Sequence, residues 1–309
     1  MNKNILRIGT RGSNLALKQA HWVAGRLKEK YPDMITEISV IKTKGDRMQT
    51  ISLASIGGKG VFVKEIEEAL LKGDIAIAVH SMKDVPTELP EELEIGIITE
   101  REDPRDVLIA RENRKLEDLP TEARIGTGSL RRALQLRNLM PDIKIVSIRG
   151  NLDTRIKKLK TDNLDGVVVA AAGMKRMGWE DRVSQFIPIE VMVPSPGQGA
   201  LCIELRKDNE ETRDIVSFLN HSSSSIEVRA ERAFLTQLGG GCQVPIAAFG
   251  TKQGDELILR GLVGTLDGRT IVDDEVRGSI NDWEELGKML AERISSRGGR
   301  EILEEIYNI

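Results

Sequence analysis

The chain has 309 residues, of which 40% are hydrophobic, 30% charged and 3% aromatic, and its formal net charge is −3. That is room for two or three domains with substantial cores, in the composition range of folded globular proteins rather than disordered or fibrous ones. It excludes a nucleic-acid binder built on stacked aromatics or on an overall basic field. The N-terminal stretch MNKNILRIGTRGS has no apolar secretion signal. No apolar run approaches the ~20 residues of a spanning helix. A cytoplasmic protein that engages neither nucleic acid nor membrane is therefore expected. Its two cysteines, Cys202 and Cys242, sit in unlike contexts and make no disulfide framework.

Strand and helix patterns alternate through the first two thirds of the chain. ILRIGT, residues 5–10, reads as a strand ending in a Gly-rich turn. Ser13 or Asn14 then caps a helix with Ala16, Ala20, Val23 and Leu27 on one face. ITEISVI is a strand. Residues 42–60 have no clear period and hold four glycines, which predicts a lid loop. VKEIEEALL places Val63, Ile66 and Leu70 at helical spacing, and DIAIAVHS is a continuous apolar run, the pattern of a strand buried on both faces. EIGIIT follows as a strand.

The charged, proline-bearing TEREDPRD breaks the alternation and reads as a domain crossing. After it come the strand and turn of RIGTGS, a helix LRRALQLRNLM stopped by Pro141, and the strand IKIVSI. LDTRIKKLK is a helix with Leu152, Ile156 and Leu159 inward, and DGVVVAAAG is a second fully buried strand. VPSPGQGALCIEL reads as a return crossing, with ALCIEL rejoining the first sheet and Cys202 a buried structural thiol. The last third holds a Ser-capped helix, SSSSIEVRAERAFLTQL. Alternating strands AAFGT, ELILRGLVG and TIVDDEV follow, then a long helix from about Asp282. The expected architecture is two α/β lobes, residues 1–99 with 200–217 and residues 104–195, joined by a double crossing. A small α+β domain with an antiparallel sheet, residues 220–309, completes it. Two lobes so joined hold a ligand in the cleft between them.

Seven cationic residues fall where strands give way to turns or helices: Arg11, Lys83, Arg131, Arg132, Arg149, Arg155 and Arg176. Ligands of open α/β sheets bind at the carboxyl ends of strands. Helix N-termini there attract anions, and guanidinium forks suit carboxylates or phosphates. A polyanionic ligand is expected. Phosphate is the weaker candidate, because GGKG is followed by Val61 rather than the hydroxyl of a P-loop. Some residues stay open on this reading. Asp84 is either a salt-bridge partner of Lys83 or a cap, or else an acid that protonates a leaving group. Phe62 is core or ligand platform. Cys242, in QLGGGCQVPIA, is a small filler or a thiol kept reachable by three glycines. No cluster of His, Cys and Asp has metal-ligand spacing. Two non-enzymatic alternatives share the two-lobe plan. An anionic-solute binding protein gives the GGGC thiol no role, and an effector-binding regulator would need a DNA-reading domain, of which there is no sign.

GTRGSNLAL, GGKGVFVKEIE, AVHSMKDVP, GTGSLRR, RGNLDTR, PGQGAL and ERAFLTQLGGGCQVPIA occur in that order from Arg11 to Ala247. Together they resemble the porphobilinogen deaminase (hydroxymethylbilane synthase) family, a specific match as a set. The resemblance implies a cytoplasmic transferase of tetrapyrrole and heme biosynthesis, with lobes like those of periplasmic binding proteins. Such an enzyme joins four porphobilinogen molecules head to tail with loss of ammonia. It also implies a dipyrromethane cofactor attached by thioether to Cys242, with Lys83, Ser129, Arg131, Arg132 and Asp84 around it. Arg11, Ser13, Lys59, Phe62, Arg149, Arg155, Arg176 and Gln198 would take the substrate, and Asp84 would be the catalytic acid. No metal or nucleotide is implied, and nothing in the sequence demands a second copy, so a monomer is expected. One departure is Ser55, where the family often has lysine ahead of GGKG.

Overall fold

In the computed structural model, which describes residues 5–43, 63–241 and 244–307, strand β1 (Ile5–Thr10) runs parallel to β2 (Ile35–Val40) on one side and to β3 (Ile77–Ser81) on the other. Next to β3 lies β10 (Leu201–Arg206), antiparallel to it and to β4 (Leu93–Ile98). The sheet order is β2-β1-β3-β10-β4. The segment after the return crossing thus enters the first sheet between two strands, as the sequence predicts for ALCIEL.

Helices cover both faces of this sheet. The first, α1 (Asn14–Lys30), starts where the Ser13 side chain accepts a hydrogen bond from the Ala16 amide. That satisfies one of the helix's unpaired N-terminal donors. Its Ala20, Val23 and Leu27 pack with Ile77 and Val79 of β3 and Ile203 and Leu205 of β10. Helix α2 (Lys64–Lys72) buries Ile66 and Leu70 against Ala78 of β3 and Leu93 of β4. Alternate residues of β3 therefore serve opposite helices, which is why Ile77, Ala78 and Val79 are apolar one after another.

The same plan recurs further along. Strand β6 (Arg124–Gly126) lies parallel to β7 (Lys144–Val146) and β8 (Gly166–Ala170). Strand β5 (Asp106–Ala110) is antiparallel to β8 and to β9 (Gln185–Ile187), in the order β7-β6-β8-β5-β9. Three helices belong to this sheet: α3 (Leu130–Leu139), α4 (Leu152–Thr161) and α5 (Ala171–Met177). Leu152, Ile156 and Leu159 of α4 pack on the cluster of Val167, Val169 and Ile148, as their spacing predicts. After β10 comes the short α6 (Glu210–Val216).

The last third adds α7 (Ser222–Gln237) and a three-stranded antiparallel meander, β11 (Ile246–Gln253), β12 (Glu256–Gly264) and β13 (Ile271–Ser279). Helices α8 (Trp283–Ile294) and α9 (Arg300–Tyr307) follow. Phe234, Leu259, Leu290 and Ile294 are central to this core. By contacts, the chain divides into Met1–Arg101 with Ala200–Ser225, and Glu102–Gly199 with Ile226–Ile309. In the second unit Leu134 and Val193 pack against Ala247 and Leu262, so the antiparallel meander and the second α/β sheet share a seam.

The local reading needs correction at five points. The DGVVVAAAG strand ends at Ala170, and α5 begins at Ala171, because alanine is a strong helix former once the Val run ends. Strands β5 and β9 and helix α6 lie in segments to which the sequence pattern assigns no element. The terminal helix is broken by a π-type turn at Ser295–Gly299, where Gly298 has φ of 102°, a conformation that favours glycine. No helix among the described residues is long and apolar enough to cross a membrane.

Candidate active site

In the first unit the site is built at the carboxyl ends of β1 and β3. Arg11 follows β1 directly and is half-buried, and Ser13, two residues on, caps α1. Beyond β3 the chain makes one 3-10 turn, Met82–Asp84. The turn is held at both ends. Met82 and Val85 are buried, the Met82 amide donates to the Ala200 carbonyl at 3.0 Å, and the Val85 amide donates to the Met82 carbonyl at 3.2 Å. Lys83 is half-buried between them. Asp84 is exposed and makes no ion pair among the described residues, so the Lys83 salt bridge that the sequence also allowed is not formed. The result is a carboxylate on a short turn whose neighbours on either side are fixed in the core.

In the second unit the turn Thr127–Ser129 connects β6 to α3. A Cβ on Gly128 would lie 2.5 Å from the Ile148 carbonyl oxygen, so only glycine lets the two backbones approach. Ser129 caps α3, its hydroxyl accepting from the Arg132 amide at 3.5 Å. Arg131 and Arg132 occupy the first turn of α3, and both are buried against Asp106 at the start of β5. Arg132 sends Nε and Nη2 to Asp106 Oδ1 at 3.0 and 2.7 Å and Nη1 to the Val168 carbonyl at 3.2 Å. Arg131 Nη1 lies 2.8 Å from Asp106 Oδ2 and donates to the Val193 carbonyl at 2.7 Å. Asp106 is buried, which alone would favour its neutral form, yet the two guanidiniums hold it well below the usual carboxylate range. Two permanent cations thus face one anion. The cluster keeps one positive charge without a counterion among the described residues, and Arg131 Nε is buried without a hydrogen-bond partner among them.

One further side chain of the second unit, Gln198, reaches the same carboxylate. Gln198 is 1% exposed, and its Nε2 donates to Asp106 Oδ1 at 2.9 Å and the Pro104 carbonyl at 2.7 Å. The neighbouring Gly197 amide donates to Glu231 of α7 at 2.7 Å, and the Gly250 amide of β11 donates to the same carboxylate at 2.8 Å. A buried glutamate therefore ties the PGQG turn to the antiparallel meander. Arg176 lies in the last turn of α5, not at a strand end, and donates to the Gly199 carbonyl at 2.6 Å. Burial pushes its guanidinium down to about 10, still charged at neutral pH. Arg149 is half-buried after β7, and Arg155 Nε donates to the Gly150 carbonyl at 2.8 Å, fixing the turn ahead of α4.

The sequence-predicted residues thus fall into three sets. Arg11, Ser13, Lys83 and Asp84 belong to the first unit, and Ser129, Arg131, Arg132, Arg149, Arg155, Arg176 and Gln198 to the second. Lys59, Phe62, Cys242 and the lid, apart from Lys42 and Thr43, lie outside the described residues. Sequence reasoning missed Asp106, Glu231 and the buried pair His80–Glu204. The available signal was a lone acid inside or beside an apolar run: Asp106 before VLIA, and Glu204 within LCIEL. Among the described residues no group of three or more His, Cys, Asp or Glu could hold a metal ion.

Residues 6–214 match the family model for the porphobilinogen deaminase dipyromethane cofactor binding domain, and residues 225–296 match the porphobilinogen deaminase C-terminal domain. The chain is 55% identical over 301 residues to a porphobilinogen deaminase of Syntrophus aciditrophicus, covering 97% of this chain and 98% of that one. It is 54% identical over 302 residues to one of Geotalea uraniireducens, covering 98% and 95%. Among solved structures it is similar to an arginine-specific periplasmic binding protein of Salmonella typhimurium, at 13% identity and a TM-score of 0.40. That likeness covers 72% of this chain and 94% of that one, and is too loose to carry an argument.

Proposed function

The chain belongs to the porphobilinogen deaminase family, and from that premise we propose how its own residues carry the reaction. The activity is that of a transferase of tetrapyrrole and heme biosynthesis. Four porphobilinogen molecules are joined head to tail, ammonia leaves at each addition, and hydroxymethylbilane is released by hydrolysis. Residues 6–214 form the dipyrromethane cofactor-binding domain. When bound, that cofactor supplies the nucleophilic pyrrole carbon on which the chain starts.

The finer assignments are our reading. Cys242 anchors the cofactor through its sulfur, and the three glycines before it leave room for a ring beside the backbone. Arg131, Arg132, Lys83 and Ser129 hold its acid groups. In support, Arg131 and Arg132 together outnumber their single buried counterion, and Arg131 Nε is unpaired. Ser129 fits less directly, since its hydroxyl already caps α3. Every pyrrole brings one acetate and one propionate, so each addition adds two anionic arms to be gripped. Arg11, Ser13, Lys59, Phe62, Arg149, Arg155 and Gln198 take those of the incoming substrate, and Arg176 serves the passage of the growing chain. Gln198 fits this role less directly, since its amide nitrogen is already donated to Asp106 and to the Pro104 carbonyl. The enzyme acts as a cytoplasmic monomer of three domains.

Asp84 carries the chemistry. Its carboxyl protonates the leaving amine, and the resulting carboxylate stabilises the cation left on the substrate. The observation that carries this role is its place: an exposed carboxylate next to Lys83, without an ion-pair partner among the described residues, on a turn pinned by buried Met82 and Val85. Asp84→Ala is expected to abolish turnover in steady-state assays while intact mass still shows two added pyrrole units. Near-normal turnover removes Asp84 from the mechanism. Cys242→Ser is expected to lack the added mass, and an unchanged adduct would place the anchor elsewhere.

A further inference from the structure

The last two residues of β3 stand immediately before the Met82–Asp84 turn, and each is gripped by a polar side chain from a different face of the sheet. On the α2 face, His80 pairs in register with Cys202, and Glu204 lies two residues further along β10 on the same side. His80 Nε2 and Glu204 Oε2 are 3.0 Å apart, with side chains 4% and 0% exposed. On the α1 face, Gln19 is 3% exposed, and its Nε2 donates to Ser81 Oγ at 2.9 Å. Buried polar groups in an apolar sheet are costly unless paired. Here two of them are spent on consecutive residues, although Ala78, Val79, Ile66 and Val23 around them already form an apolar core.

We propose that this two-sided polar clamp, His80–Glu204 on one face and Gln19–Ser81 on the other, positions the Lys83–Asp84 turn for catalysis. The proposal rests on the assignment of Asp84 as the catalytic acid. Apolar contacts set depth but resist sliding and rotation poorly, whereas directional bonds fix the strand end about its own axis. Asp84 sits three residues beyond Ser81, so a small rotation at the strand end displaces its carboxylate. A displacement on the order of 1 Å at a reacting group can cost about 100-fold in rate. Gln19, Ser81, His80 and Glu204 are thus positioning residues, acting through Asp84 rather than on substrate.

The test uses the cofactor-loaded enzyme, with loading checked by intact mass. Glu204→Gln, His80→Leu and Gln19→Leu are each expected to lower kcat by roughly 10- to 100-fold, with KM for porphobilinogen changed less than about twofold. His80→Gln, which keeps a donor for Glu204, should recover most of the loss seen in His80→Leu. Ile203→Val, a buried apolar truncation between Cys202 and Glu204 on the same strand, should lower thermal stability and leave kcat unchanged. Loaded variants with wild-type kcat overturn the proposal, as does a kcat loss in Ile203→Val equal to theirs. Should the Glu204 and His80 variants fail to fold, Gln19→Leu carries the test alone, since its partner Ser81 keeps water access. Asp84→Ala run alongside separates the two ideas. An active Asp84→Ala sinks the underlying assignment, while an inactive one beside fully active clamp variants sinks only the clamp.

Discussion

Sheets β2-β1-β3-β10-β4 and β7-β6-β8-β5-β9 match strand for strand, each with its fourth strand reversed. Each reversed strand also carries one buried acid, Glu204 on β10 and Asp106 on β5. The partners differ. Glu204 faces an imidazole, with Glu67 of α2 close enough to feel its charge. Asp106 faces two guanidiniums. An imidazole can shed its proton near neutral pH, and a guanidinium cannot. One scaffold thus sets its buried strand acid against a single imidazole behind the Met82–Asp84 turn and against two guanidiniums at the start of α3.

The comparison breaks most readily at Asp106. Asp106→Asn leaves two buried cations facing each other and is expected to cost about 3–5 kcal/mol in urea unfolding. Glu204→Gln should cost clearly less, because its partner is one imidazole rather than two guanidiniums. Equal losses would mean that the two pairs are energetically alike. A middle-sized effect sharpens the parallel between the turns. Ser13→Ala and Ser129→Ala remove equivalent N-caps and should each cost about 1 kcal/mol by thermal melts. Ser13 should cost more, its bond being 3.2 Å against 3.5 Å.

The smallest effect is the most diagnostic. Burial, and then the nearby Glu204, push Glu67 up from 4.5 to about 7. The folded protein therefore holds this proton more tightly than the unfolded chain. Its contribution to stability is complete below pH 4.5 and is lost as pH rises through about 7. Because Glu67 is only partly buried, Glu67→Gln should stabilise by no more than about 1 kcal/mol above that range, and by nothing below about pH 4. Asp106 runs the opposite way. Its contribution is present above the ordinary value of 3.8 and is lost only in strong acid, so stability curves of Asp106→Asn and wild type should stay parallel between about pH 5 and 9. A wild-type-like slope in Glu67→Gln would place the titrating group elsewhere.

Where the chain announces its structure, it does so locally. The run DIAIAVHS reads as a doubly buried strand because its Ile, Ala and Val residues are apolar one after another, and Ser13 reads as a cap because its helix begins at the next residue. The burial of Arg131 and Arg132 is not local. On α3 they look like solvated first-turn residues, and only a strand paired through β8, more than twenty residues earlier in sequence, supplies the carboxylate that draws them in. That strand was itself hidden, since four apolar residues after a proline-bearing charged stretch resemble a linker. Asp84 was visible as an acid among bases, but whether it would pair with Lys83 depended on the geometry of a turn that sequence does not specify.

The position of β10 has a consequence for synthesis of the chain. Every strand of the sheet containing β5 lies between residues 106 and 187, so that sheet can assemble as soon as its own segment leaves the ribosome. The other sheet begins at residue 5 but waits until residue 206, because β4 reaches β3 only through β10. A nascent chain stopped at Gly199 therefore has an open edge on β3 and no seat for β4, a state prone to mispairing. Of the two α/β sheets, the one begun first is thus completed second, and the turn bearing Lys83 and Asp84 has no Ala200 carbonyl to receive the Met82 amide until translation has passed that residue.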